Sequence, residues 1–88
     1  MKLTEAERRT WRAAMNQYAE TGRITVRGTA ERYGGSHAFG NACERIHRLT
    51  AAGLFRFGPP MSQVLALPVP GMAVGSDGTV YREVEMAE

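Results

Sequence analysis

Glycine stops constrain this chain more than any other feature. Gly22, the Gly34-Gly35 pair and Gly53 interrupt the N-terminal half at intervals that leave room for three short helices and nothing longer. The first helix should start at Thr4, an N-cap whose partner Glu7 lies three residues on, the reciprocal pair of a capping box. Trp11, Ala14, Met15 and Tyr18 then recur at i, i+3, i+4 and i+7 and define a core-facing side. Glu5, Arg9, Arg12, Asn16 and Glu20 take the other. A second helix over 25–33 would turn Val26, Thr29, Ala30 and Tyr33 inward. Gly28 lies inside it and costs about 1 kcal/mol relative to alanine, so this helix needs tertiary packing or a close backbone approach that excludes a side chain. Ser36 is a suitable N-cap for a third helix over 36–52. Phe39, Ala42, Cys43, Ile46 and Leu49 fall on one arc of it, while His37, Asn41, Glu44, Arg45 and Arg48 fall on the opposite side. One face packs and the other is free to bind.

Beyond Gly53 the period changes from helix to strand. Leu54-Phe55-Arg56-Phe57 and Val64-Leu65-Ala66-Leu67 read as two short strands around Gly58-Pro59-Pro60. Met72-Ala73-Val74 and Thr79-Val80-Tyr81 flank the turn-rich Gly75-Ser76-Asp77-Gly78 and read as a second hairpin. Pro68 and Pro70 lack a backbone donor, so the segment between the hairpins is expected to cross the surface as an extended connector. Residues 85–88 are expected to fray. The prediction is one α+β domain, with residues 1–67 as its core and residues 68–88 as a C-terminal extension of the same unit.

Size and composition narrow the function. A chain of 88 residues supports one modest hydrophobic core. Cys43 is the only cysteine, which excludes an internal disulfide framework, and it reads as a small core residue beside Ile46. His37 and His47 point to different sides of one helix, and no zinc-ligand spacing occurs, so neither metal nor cofactor is expected. The carboxylates are scattered over exposed faces and the tail, and no glycine-rich phosphate loop is present; the chain does not read as an enzyme. The first twelve residues are charged and no apolar run approaches a membrane span, so a cytoplasmic protein without a membrane partner is expected. Charge is distributed unevenly. Residues 1–58 carry ten basic groups against five acidic ones, +5, and the last thirty carry one against four, −3. A polyanion would dock on the basic half.

The order helix, helix, turn, helix, hairpin resembles a winged helix-turn-helix domain over residues 3–67. The most specific stretch is Ile46-His47-Arg48-Leu49-Thr50-Ala51-Ala52-Gly53-Leu54, which is similar to the family's recognition-helix ending, where a leucine, three small or polar residues and Gly-Leu lead into the wing. Thr4-Glu5-Ala6-Glu7-Arg8-Arg9 followed by Glu20-Thr21-Gly22 is similar to the first helix of the SOS-response type of repressor.

The resemblance implies that helix 36–52 lies in a major groove, with Ser36, His37, Gly40 and Asn41 facing bases. Asn41 has the amide for a bidentate contact with adenine, and Arg45 would meet guanine or a phosphate. Arg48, together with Arg27, Arg32 and Arg56, would hold the DNA backbone. A homodimer on a palindromic double-stranded site is the expected arrangement, joined through the second hairpin or the first helix. Three features depart from the pattern. Gly40 leaves a gap among the base readers, Glu44 puts a negative charge on the binding face, and Gly58-Pro59-Pro60-Met61-Ser62 is a wing tip without a basic residue. Glu44 stands four residues before Arg48, the spacing of a helical ion pair. The uncharged wing and acidic tail fit an alternative: a phage or mobile-element protein that inhibits or adapts a host protein or nucleoprotein complex. The chain therefore reads either as a sequence-specific transcriptional regulator or as a protein-docking module.

Overall fold

A computed structural model describes residues 2–35, 38–57 and 66–83, with the side chains of residues 38 and 39 excepted. Ser36, His37, the side chain of Phe39, the wing tip from Gly58 to Ser62, the Val64-Leu65 half of the second predicted strand and residues 85–88 therefore lie outside the described part. The described chain is a small α+β domain of three helices followed by two antiparallel hairpins.

The first helix, α1 (Glu5–Thr21), begins at the capping box. The Glu7 backbone N–H donates to Thr4 Oγ1 at 3.1 Å, and the Thr4 N–H donates to Glu7 Oε1 at 2.9 Å. Its buried stripe is Thr10, Ala13, Ala14 and Gln17, with Trp11 and Met15 half-buried beside it. Tyr18, expected in the core, is exposed. The stripe consists of small and polar residues because the second helix, α2 (Val26–Tyr33), packs too close for anything larger. Gln17 shows how close. It spans to the start of α2, where its Nε2 donates to Thr25 Oγ1 and its Oε1 accepts the Thr25 N–H, both at 3.0 Å. Thr25 Oγ1 in turn accepts from the Gly28 N–H at 3.0 Å and caps the helix. A Cβ on Gly28 would stand 2.1 Å from Gln17 Nε2. The glycine inside α2 is thus the close approach expected of it.

The third helix, α3 (Ala38–Ala51), packs on α2 through Ala42 against Ala30, with Val26 alongside. Ile46 and Leu49 enter the main core with Leu3, Ala14, Ile24, Leu54, Phe55 and Ala66. Cys43, expected to be buried with Ile46, is only half-buried. The helix ends in a Schellman motif: the Gly53 N–H donates to Thr50 O and the Leu54 N–H to Leu49 O, both at 3.1 Å, with Gly53 at φ +88°. Leu49 and Leu54 supply the hydrophobic contact that accompanies this cap. Leu54 therefore closes the helix instead of opening the strand.

Strands β1 (Phe55–Phe57) and β2 (Ala66–Pro68) pair antiparallel, with Phe55 opposite Pro68 and Phe57 opposite Ala66. Pro68 thus belongs to a strand, contrary to its expected place in a connector. The Val69 N–H donates to Leu54 O at 2.9 Å. The alternation of an antiparallel ladder then puts Pro68 at a position where no N–H points across the pair, so its missing donor costs no rung. Ile24, between α1 and α2, bridges Ala66 on the far side of β2 and adds a one-residue third strand.

Strands β3 (Met72–Val74) and β4 (Val80–Arg82) form the second hairpin. Met72, Val74 and Val80 pack against the core, and the N-terminal segment is stitched to the hairpin tip: Lys2 bridges Thr79, and the Leu3 N–H donates to Gly78 O at 2.7 Å. The tip is held by Asp77, whose carboxylate accepts from the Thr79 N–H at 3.0 Å and from its hydroxyl at 2.9 Å. These bonds hold the Asp77 carboxyl below the ordinary aspartate range.

Candidate nucleic-acid interface

Burying Ala42, Ile46 and Leu49 turns the remaining stripe of α3 outward. Asn41, Glu44 and Arg48 are exposed, and Arg45 is half-buried. Nothing stands within 4 Å of the position a Cβ would take on Gly40. The gap noted in the sequence is open surface.

The arginines of this region differ in how they are held. Arg48 reaches Glu7 at 3.5 Å and Glu44 at 3.9 Å, the second being the i to i+4 pair expected from the sequence. The Glu7 carboxyl lies below the ordinary glutamate range, first because it accepts the Thr4 backbone N–H and also because Arg48 stands beside it. Arg45 lies 5.0 Å from the centre of the Tyr33 ring. Arg9 lies 4.4 Å from the same centre and donates to the Tyr33 carbonyl at 2.8 Å. Tyr33, the last residue of α2, is thus where guanidinium groups from α1 and α3 converge. Arg32 pairs with Glu20 and donates to the Gly28 carbonyl. Arg27 on α2 and Arg56 on β1 are exposed, with no ion pair among the described residues. Pairs made to an exposed carboxylate, Arg32 with Glu20 and Arg48 with Glu44, are worth about 0–1 kcal/mol, so either arginine can exchange that carboxylate for a phosphate at small cost.

Two further arrangements go beyond the helix face predicted from the sequence. Phe57 is 50% exposed at the end of β1, and its ring centre lies 5.1 Å from that of His47 on α3. A groove between α1 and α2 is lined by Arg8, Arg9, Arg12 and Asn16 from α1 and by Arg32 from α2, with Glu5 also on its wall. Arg9, Arg12 and Asn16 were visible as one exposed face of the first helix. That Arg32 joins them depends on how α2 lies against α1, which no single-helix pattern carries.

Among the described residues no group of three or more His, Cys, Asp or Glu side chains could hold a metal ion, and no helix is long and apolar enough to cross a membrane. Comparison of the chain with protein-family models, with curated proteins and with solved structures finds no match. Architecture alone assigns its class: a small α+β domain of three helices and two hairpins, whose third helix turns a polar face to solvent.

Proposed function

We propose that the protein is a small winged helix-turn-helix regulator that binds double-stranded DNA sequence-specifically through α3, and that it acts as a binding protein without catalysis. The observation that carries this reading is the outward face of α3, polar and open from Gly40 through Asn41 to Arg48, lying between a helix packed at its side and a hairpin that follows directly. The one-residue strand at Ile24, joined to β2 before α2 begins, adds to the likeness to a winged helix. In this reading Asn41 contacts adenine, Arg45 and Arg48 meet the groove edge and its phosphates, and Arg27, Arg32 and Arg56 hold the flanking backbone. Two copies sit on a palindromic site.

Asn41→Ala tests the assignment. Its side chain is exposed on a helix and makes no hydrogen bond among the described residues, so its loss leaves folding unchanged. Affinity for a selected site should fall about 5- to 150-fold, the range of one good bidentate contact, while affinity for mixed-sequence DNA stays nearly constant. Equal loss on both DNAs would remove Asn41 from the role of base reader.

A second reading is favoured by Phe57. An aromatic ring half exposed at the root of the hairpin, beside His47, suits docking on a host protein, and Glu7, Glu20 and Glu44 neutralise part of the basic surface. In that case the protein inhibits or adapts the complex it docks on, and binding would depend on Phe57 and only weakly on salt.

A further inference from the structure

We propose that the groove between α1 and α2 is a phosphate-binding site separate from the α3 face, and that in the DNA-bound protein it takes a backbone phosphate outside the base pairs read by α3. The second half of this proposal rests on the DNA-binding reading. Four guanidinium groups line the groove, Arg8, Arg9, Arg12 and Arg32, against the one carboxylate of Glu5. Like charges gathered this way repel one another, and the protein compensates three of them. Arg8 donates to both Glu5 oxygens at 3.2 Å. Arg32 is held by Glu20 and the Gly28 carbonyl, and Arg9 by the carbonyl and ring of Tyr33. Arg12 is exposed and has no ion pair among the described residues.

This compensation leaves most of the hydrogen-bonding capacity unused. A guanidinium carries five N–H donors, and Arg9 commits one nitrogen to the protein and Arg8 one. The same partners hold the forks in place, so an entering anion meets donors that are already ordered. Planar forks arranged around an open space suit the several oxygens of a phosphate better than the two of a lone carboxylate. Tyr33 connects this site to the DNA face, because its ring carries Arg9 from the groove and Arg45 from α3.

The test has two arms, both using the whole chain and an Arg12→Ala variant, which removes an exposed side chain and leaves the fold intact. In the first arm, inorganic pyrophosphate is titrated while the arginine Nε resonances are followed by NMR. Saturable shifts confined to Arg8, Arg9, Arg12 and Arg32, weakened at least about fivefold in the variant, are expected. In the second, binding to a duplex extended beyond the preferred site is measured against salt. Loss of one phosphate contact lowers the slope of log affinity against log salt by about 0.9. Arg12→Ala should do this equally on preferred and mixed sequences, unlike Asn41→Ala. Absence of groove shifts with pyrophosphate overturns the site. Groove shifts combined with an unchanged slope on duplex that still binds overturn the DNA half alone and assign the groove to a free phosphate compound. Groove shifts in a protein that binds no duplex sink the DNA-binding reading and leave the phosphate site standing.

Discussion

Replacing Gly78 by alanine destabilises the domain by about 3 kcal/mol, a large effect for a residue at the tip of a short hairpin. Two causes add. Gly78 has φ +91°, a conformation that costs an L-residue about 1–2 kcal/mol. The added Cβ would also stand 2.5 Å from the Leu3 carbonyl oxygen, and that atom belongs to backbone, which cannot swing aside as a side-chain end can. The Leu3 N–H donates to the Gly78 carbonyl, so pushing the strands apart breaks that bond and loosens Leu3 from the core. Gly53→Ala separates the causes. Its φ is +88° but nothing lies within 4 Å of its Cβ position, so only the conformational cost applies, about 1–2 kcal/mol. Urea unfolding of the two variants should differ by at least about 1 kcal/mol. Equal losses would mean that the N-terminal segment does not press on the hairpin as described.

Gly28→Ala is the second large effect, and its sign reverses the usual expectation. In an exposed helix interior this change stabilises by about 1 kcal/mol. Here the new methyl displaces the Gln17 side-chain amide, which is buried and bonded to the backbone and hydroxyl of Thr25. Two hydrogen bonds are lost, and each buried group left without its partner costs about 1–3 kcal/mol, so even against the helix-propensity gain the net effect is a loss of about 2 kcal/mol. In a Gln17→Ala background the obstruction is gone, and Gly28→Ala should become neutral or stabilising. A double-mutant cycle by thermal or urea unfolding reads the coupling directly. Additive losses in the cycle would contradict the contact between Gln17 and Gly28.

These positions show where the sequence is informative and where it is not. The start of α1 and the end of α3 were legible because a capping box and a Schellman motif are built from residues a few positions apart. The ending from Leu49 to Leu54, which carries much of the resemblance to winged helices, has a local cause in that cap. It is what a helix needs to turn directly into a core strand. The inner face of α1 was displaced toward Tyr18 because bulky apolar residues dominate a periodicity, while the real contact with α2 uses Thr10, Ala13, Ala14 and Gln17. Ile24 is a strand of one residue, too short for any pattern. Pro68 enters β2 because of register, which depends on pairing with Phe55. On the surface, the polar stripe of α3 was legible from its spacing. The partners of its arginines were less so: Glu44 lies on the same helix as Arg48, whereas Glu7 and Tyr33 reach theirs from other helices.

Fluorescence anisotropy against labelled mixed-sequence duplex, at low and then physiological salt, decides whether the domain binds DNA through α3 as proposed. Arg27→Ala/Arg56→Ala is the companion variant, since both side chains are exposed and have no ion pair among the described residues. The expected result is binding at low salt that falls steeply as salt rises, with a slope shallower by about 1.8 in the variant for two lost phosphate contacts. Absence of binding at low salt, or binding indifferent to salt and to both arginines, would contradict it and leave the Phe57 surface as the functional one.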